Sequence, residues 1–201
     1  MIVVVTWVDP RGRTRTGHAT RYLSQLQPGT AVTVSVKPSV MKLPTDEMAP
    51  LVLAGLGTGL APFRAFAQHR ALQRSRGIET GPILLYLGSR HQREEYLYGE
   101  EWEAYLASGV VSLLGAAFSR DQPNKVYIQD RMRQTLPQIV DAYLVQGGSF
   151  YLCGPTWPVP DVTDVLKEAI VQHATAQGHK TDATREIERL KDEGRYVLEV
   201  Y

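Results

Sequence analysis

Gly55-Leu56-Gly57-Thr58-Gly59-Leu60-Ala61-Pro62-Phe63 carries glycines out of an apolar run and into a helical pattern. Glycine accepts positive φ and lets backbone approach a ligand closely. Pro62 is harmless in a first helical turn, where its missing N–H has no partner to lose. The bare amides of such a turn, together with the helix dipole, suit a phosphate. The spacing departs from the common dinucleotide fingerprint, because Leu60 stands where its last glycine would be. A tight strand-to-helix turn without a ligand explains the same residues. Further on, Phe118-Ser119-Arg120 is followed by Lys125, Tyr127 and Gln129. Hydroxyl, guanidinium, ammonium and phenol at this spacing can surround a dianionic phosphate while Tyr127 stacks on an adenine. A solvated basic loop is the plainer reading. Arg90 follows Leu87-Gly88-Ser89, where an acid for a ribose 2′-hydroxyl is missing and a cation suits a phosphate instead. Cys153 sits in Phe150-Tyr151-Leu152-Cys153-Gly154-Pro155, as a reactive thiol or as a small buried hydrophobe. Asp161 reads as a helix-capping or first-turn carboxylate.

Composition narrows the field. Lys and Arg number 22 against 21 Asp and Glu, so no global field draws the chain to nucleic acid or an anionic membrane, and any anion site is local. A single cysteine excludes a disulfide framework and a zinc cluster, and no metal is expected. It fits a reducing compartment. The opening Met1-Ile2-Val3-Val4-Val5-Thr6-Trp7 is too short for a signal peptide or a span. The expectation is a cytoplasmic protein with no nucleic-acid or membrane partner.

The elements that position these residues fall into two parts. Up to residue 45 the pattern gives a strand over Ile2 to Val8, a turn at Asp9-Pro10-Arg11-Gly12, a short helix over Gly17 to Leu26 and a strand over Ala31 to Val36. Pro44 to Pro50 reads as a proline-flanked linker. From residue 51 short apolar strands (Leu51–Ala54, Ile83–Leu87, Val110–Leu114, Phe150–Leu152, Tyr196–Tyr201) alternate with helices (Pro62–Arg74, Glu94–Leu106, Leu136–Val145, Asp161–Ala176, Asp182–Lys191), and Val126 opens a short element of either kind. That alternation predicts an α/β domain, a doubly wound, mostly parallel sheet with helices on both faces, with ligands beyond the carboxyl ends of its strands.

The glycine turn resembles the G-x-G-T-G-x-A-P-F turn of ferredoxin–NADP reductases and diflavin reductases. The Phe118-Ser119-Arg120 run, with Lys125, Tyr127 and Gln129 after it, is similar to that family's site for the NADPH 2′-phosphate and adenine ribose. The resemblance implies NADPH and FAD as cofactors and hydride transfer between them, an NADPH-dependent oxidoreductase. It implies backbone contacts to NADPH from Gly57, Thr58 and Gly59, with Thr58 near the nicotinamide, and a pyrophosphate or ribose contact from Arg90. It places Cys153 beside nicotinamide C4, an assisting acid at Glu199, where the family usually has Asp, and a flavin-stacking aromatic at Tyr201. Asp161 is carried over as a further cofactor-site residue. Gly17-His18-Ala19-Thr20-Arg21-Tyr22-Leu23 resembles the G-x-x-T-x-x-L segment that contacts the FAD pyrophosphate, which implies roles for Gly17, Ala19 and Thr20. Residues 1–45 are then a remnant of an antiparallel FAD-binding β-barrel with unpaired strand edges, and 46–201 the NADP-binding domain.

The run Cys153-Gly154-Pro155-Thr156-Trp157-Pro158-Val159-Pro160-Asp161 is similar to the fungal sulfite reductase branch of these flavoproteins. That branch implies an FMN-bearing domain or subunit and a sirohaem sulfite reductase subunit as partners. The family's Arg-x-Tyr-Ser flavin motif is expected upstream of residue 1, which reads the chain as the C-terminal part of a longer parent with FAD retention open. Two rivals stand beside this reading: another diflavin enzyme such as a cytochrome P450 reductase, and a nucleotide-binding module without activity.

Overall fold

The computed structural model describes residues 4–201. Two compact units divide at Ser39 and Val40. In the first, β1 (Thr6–Val8) pairs antiparallel with β2 (Thr14–Thr16). Asp9 closes the turn between them: its carboxylate accepts from the Arg11 and Arg13 amides at 2.9 Å and from the Arg13 and Arg15 Nε at 2.9 and 3.0 Å. The helix α1 (His18–Ser24) follows. The expected strand over Ala31 to Val36 does not form. Its alternating valines find nothing to bury against, and Val34 and Val36 are 76% and 96% exposed. Within the expected strand over Ile2 to Val8, only Thr6–Val8 takes ladder geometry; Ile2 and Val3 lie outside the described residues.

The second unit is a five-stranded sheet of β3 (Leu51–Leu56), β4 (Ile83–Ser89), β5 (Leu113–Phe118), β6 (Ser149–Gly154) and β7 (Tyr196–Val200), in the order β5-β4-β3-β6-β7, all parallel. Alternate residues of the central strands feed opposite cores, because successive side chains of a strand point to opposite faces. Val52, Ala54, Tyr86, Phe150 and Leu152 pack with residues of α5 (Ile128–Gln134), α7 (Val159–Ala176) and α8 (Ala183–Asp192). Leu51, Leu53, Ile83, Leu85 and Tyr151 pack with Phe63 and Phe66 of α2 (Leu60–Ser75) and with buried Trp102. Both faces being covered, the strands read as continuous apolar runs rather than alternating ones. Before β3, Met41 and Leu43 pack on this second core, and the Tyr151 hydroxyl donates to the Lys42 carbonyl at 2.7 Å.

Three elements differ from the sequence expectation. The helix expected over Glu94 to Leu106 is two, α3 (Gln92–Glu95) and α4 (Gly99–Ala107). Tyr98 between them adopts φ +59°, and the Tyr96 ring turns edge-on to Phe118 at 5.5 Å. β5 starts at Leu113 rather than Val110. Val110 and Val111 are buried in the connection, where Val111 donates to the Tyr105 carbonyl. The helix from Leu136 is α-helical only as α6 (Leu136–Ile139) and continues as a wider π turn, Val140–Val145, closed by Gln146 N–H to the Asp141 carbonyl.

Candidate functional site

The chain winds outward from β3 through β4 to β5, then returns to the other side of β3 as β6 and β7. That reversal leaves a crevice at the carboxyl ends of β3 and β6, the position where open parallel sheets hold ligands. Leu56 runs into a single 3₁₀ turn, Gly57–Gly59, and then into α2. Gly57 takes φ +55°, which a side chain would strain. Gly59 is needed for a different reason: a Cβ there would lie 2.0 Å from the Cys153 carbonyl oxygen. The turn therefore lies directly on the end of β6.

Cys153 pairs in register with Glu199 on β7 and with Gly55 on β3. Its thiol is buried, and that burial, followed by the nearby Glu199 charge, pushes its pKa up to about 11. Tyr201 is held over the same edge. Its amide donates to the Gly154 carbonyl at 3.0 Å, its carbonyl accepts from Thr156 at 3.2 Å, and its phenol lies 2.5 Å from the Thr58 hydroxyl. Gly57, Thr58, Gly59, Cys153, Glu199 and Tyr201 are thus brought together at this strand end, where Gly57 and Tyr201 line the cleft and the other four do not.

From there a cleft of about 570 Å³ runs from Gly57 and Tyr201 past Arg90 to Ser119, Arg120, Lys125, Tyr127 and Gln129. The loop that carries Arg120 is stitched to the end of β4. The Ser119 and Arg120 amides donate to the Ser89 and Arg90 carbonyls at 3.0 and 2.9 Å. The Asp121 carboxylate accepts from Gln92 N–H at 2.8 Å and meets His91 Nδ1 at 3.0 Å. Those two bonds, the Gln92 amide first, hold Asp121 below the usual carboxylate range. Glu95 grips Arg90 through its amide (2.7 Å) and its Nε (3.2 Å). Burial alone would raise Glu95, but the Arg90 contacts keep it lowered. Among the described residues, Arg120 and Lys125 have no carboxylate partner. Both line the cleft. Asp161 sits in the first turn of α7 rather than on the cleft wall, and accepts from Gln129 Nε2 at 3.0 Å.

Several lining residues had no site role from sequence. Trp157 is 57% exposed on the cleft, with its ring 6.0 Å from Tyr127 at 71°. Two rings so inclined make a corner that offers a planar base one face to stack on and one wall to meet edge-on. The signal was a tryptophan among prolines immediately after a strand-end turn. Glu95 was read only as part of a helix start. Two buried polar atoms on this wall, Ser89 Oγ and Gln129 Oε1, have no hydrogen-bond partner among the described residues. Native interiors rarely leave such atoms unpaired. Free cations, an aromatic corner, orphaned polar atoms and a close-packed glycine turn together fit a phosphorylated nucleotide.

The remaining predicted residues lie in the first unit. The Gly17 amide donates to the Val5 carbonyl at 3.0 Å, and the Thr20 hydroxyl donates to the Gly17 carbonyl at 3.3 Å. A concave surface of about 470 Å³ there is lined by neighbours, including Trp7, Arg15, His18 and Arg21, rather than by Gly17, Ala19 or Thr20. Its basic donor set suits a diphosphate, although Arg15 also pairs with Asp9 at 3.0 Å. Among the described residues, no helix is long and apolar enough to cross a membrane, and no cluster of His, Cys, Asp and Glu suits a metal.

Residues 52–163 match the family model for the oxidoreductase NAD-binding domain. The whole chain is 54% identical to the sulfite reductase [NADPH] flavoprotein component of Saccharomyces cerevisiae, covering 19% of that protein. It is 56% identical to a probable sulfite reductase [NADPH] flavoprotein component of Schizosaccharomyces pombe, covering 20% of it. Nearly all of it, 99%, aligns at 35% identity with 30% of the NADPH–cytochrome P450 reductase of Drosophila melanogaster. The chain spans about a fifth of the length of the two sulfite reductase relatives. With its match extending over more than half its length, from the first parallel strand into α7, the chain belongs to the oxidoreductase NAD-binding domain family.

Proposed function

We propose that this chain binds NADPH along the cleft and serves hydride transfer to FAD, in a flavoprotein that feeds electrons to sulfite reduction. One observation carries the reading: Arg120 and Lys125, without carboxylate partners among the described residues, stand beside Tyr127 in a cleft that continues to the Gly57 turn and Tyr201. In it Ser119, Arg120 and Lys125 hold the 2′-phosphate and Tyr127 supports the adenine. The Gly57, Thr58 and Gly59 backbone and Arg90 face the pyrophosphate. Arg90 is already engaged by Glu95, so discrimination for the phosphorylated coenzyme falls to Arg120 and Lys125. Cys153, its thiol pushed up to about 11 by burial, orients the nicotinamide and need not act as a nucleophile. Tyr201 caps the nicotinamide end, and Glu199 supplies a carboxylate one strand away from the thiol.

Bound FAD would supply the two-electron acceptor. Gly17, Ala19 and Thr20 at the start of α1 would face its pyrophosphate. Residues 1–45 are read as the last part of an FAD-binding domain and 46–201 as the NADP-binding domain. The partners are read as an FMN-bearing domain or subunit and a sirohaem sulfite reductase subunit, in the cytoplasm; the likeness to sulfite reductase flavoprotein components supports a sulfite reductase partner. Purified protein decides the matter. A yellow flavin spectrum bleached by NADPH supports the reductase. A colourless protein that binds 2′,5′-ADP supports a nucleotide-binding module without hydride transfer, and failure to bind 2′,5′-ADP refutes both.

A further inference from the structure

Tyr98 adopts φ +59° and ψ +30°, and among the described residues every other positive φ belongs to a glycine. A bulky aromatic seldom takes this left-handed conformation, because its Cβ crowds the following carbonyl oxygen. Glycine would take it without that cost. Burial does not explain the ring either, which is 36% exposed. What the ring meets is Arg64 of α2, whose guanidinium carbon lies 4.3 Å from its centroid. The Arg64 Nε donates to Glu101 Oε2 at 2.8 Å, and Glu101 Oε1 accepts from the Tyr105 hydroxyl at 3.1 Å and from Gln68 Nε2 at 3.3 Å. Burial would raise the Glu101 pKa, but these bonds, that of Arg64 first, hold it lowered. A cation fixed over an aromatic face attracts the ring, so Arg64 and Glu101 together clamp the strained residue between α2 and α4.

The residues just before Tyr98 reach the nucleotide cleft. Glu95 lines it and accepts from the Arg90 amide at 2.7 Å and from its Nε at 3.2 Å. The Tyr96 ring meets Phe118 edge-on at 5.5 Å, and Phe118 immediately precedes Ser119 and Arg120. The Leu97 carbonyl accepts from Nε1 of fully buried Trp102 in α4 at 2.9 Å. With α4 anchored by that indole, the backbone angle at Tyr98 decides where residues 95–97 point. Neither Tyr98 nor Arg64 lines the cleft. Granting NADPH as the ligand, on which this rests, we propose that Tyr98 is a positioning residue: held in its left-handed conformation by Arg64, it keeps Glu95 on Arg90 and Tyr96 against Phe118. The wall that receives the phosphates is thereby set before the ligand arrives. An ordinary φ at residue 98 loosens it, and the ligand must then order it on binding.

Titration calorimetry on the whole chain tests this with 2′,5′-ADP and 5′-AMP. Tyr98→Ala and Tyr98→Gly both delete the ring, but only glycine accepts the left-handed conformation freely. Tyr98→Ala should bind 2′,5′-ADP about five- to tenfold more weakly than the unmodified protein, and Tyr98→Gly less than about twofold more weakly. Arg64→Met keeps an apolar stem and removes the clamping charge, so it should weaken binding about three- to tenfold. In the Tyr98→Gly background the same change should weaken it by less than about twofold, because no strain is left to hold. Should Tyr98→Ala fail to fold, the two Arg64→Met measurements decide alone. Three results overturn the proposal while leaving the nucleotide reading intact. In one, Tyr98→Ala and Tyr98→Gly weaken binding by the same factor, as a lost ring contact by itself would. In another, Arg64→Met leaves 2′,5′-ADP affinity unchanged. In the third, Arg64→Met weakens it equally in both backgrounds. If 2′,5′-ADP binds the unmodified protein no better than 5′-AMP, the NADPH reading falls, and this proposal with it.

Discussion

Removing the Arg120 guanidinium tests the proposed phosphate site apart from the rest of the proposed nucleotide cleft. The side chain is exposed, and the backbone bond from Arg120 N–H to the Arg90 carbonyl at 2.9 Å does not depend on it. Arg120→Ala should therefore leave the loop in place and delete one charged donor group. A hydrogen bond to a charged partner contributes about 1.5–3 kcal/mol, which is roughly 10- to 150-fold in Kd. Lys125 remains on the same wall, without a carboxylate partner among the described residues, so the loss should fall in the lower half of that span, about 10- to 40-fold. NADH lacks the 2′-phosphate and should change by no more than about twofold. Arg120→Lys keeps the charge but loses the planar fork, and should fall between. The assay is kcat/KM for both coenzymes together with calorimetric Kd values for 2′,5′-ADP and 5′-AMP at two salt concentrations. A parallel drop for NADPH and NADH, or for both adenosine ligands, refutes the assignment of Arg120 to the phosphate.

Gly59→Ala drives a Cβ to 2.0 Å from the Cys153 carbonyl, so backbone must move; a loss of about 3 kcal/mol in urea unfolding is expected, and an unchanged midpoint contradicts the packing described. Cys153 titrates near 11 when folded against an ordinary value of 9. Its raised pKa means the folded state holds the proton longer, so this contribution to stability is complete below pH 9 and declines as pH rises toward 11. Iodoacetamide should modify the native thiol far more slowly at pH 8 than it modifies glutathione, and equal rates exclude a buried neutral thiol. Trp157 should report ligand through its fluorescence, since it alone of the three tryptophans lines the cleft, Trp102 being fully buried in the core and Trp7 belonging to the first unit. Quenching by 2′,5′-ADP that disappears in Trp157→Phe is expected, with about a fivefold weaker Kd in Trp157→Ala.

The parallel sheet was legible because its strands are buried on both faces, so Leu51–Ala54, Ile83–Leu87 and Phe150–Leu152 show as unbroken apolar runs within the longer strands Leu51–Leu56, Ile83–Ser89 and Ser149–Gly154. Boundaries were less so where a side chain's destination was ambiguous. Val110 and Val111 are as apolar as any strand residue, yet they fill the connection before β5. The alternating valines from residue 32 to 36 have strand composition, but a strand needs a partner as well as propensity.

Chemical types and local spacing lie in the sequence itself: a glycine turn opening a helix, an Arg–Lys–Tyr group, one cysteine at a strand end. Those follow from neighbours in the chain, where covalent connection already sets distance. Long-range pairings were decided by the fold alone. Arg120 N–H meets the Arg90 carbonyl, thirty residues back, which sets the Arg120 side chain on the cleft wall. Gln129 turns its nitrogen to Asp161, and Thr58 meets Tyr201 across the end of the sheet. Where a cation stands, and which atom an amide turns to its neighbour, depends on groups tens of residues away. Only the strand order β5-β4-β3-β6-β7 brings them within hydrogen-bond reach.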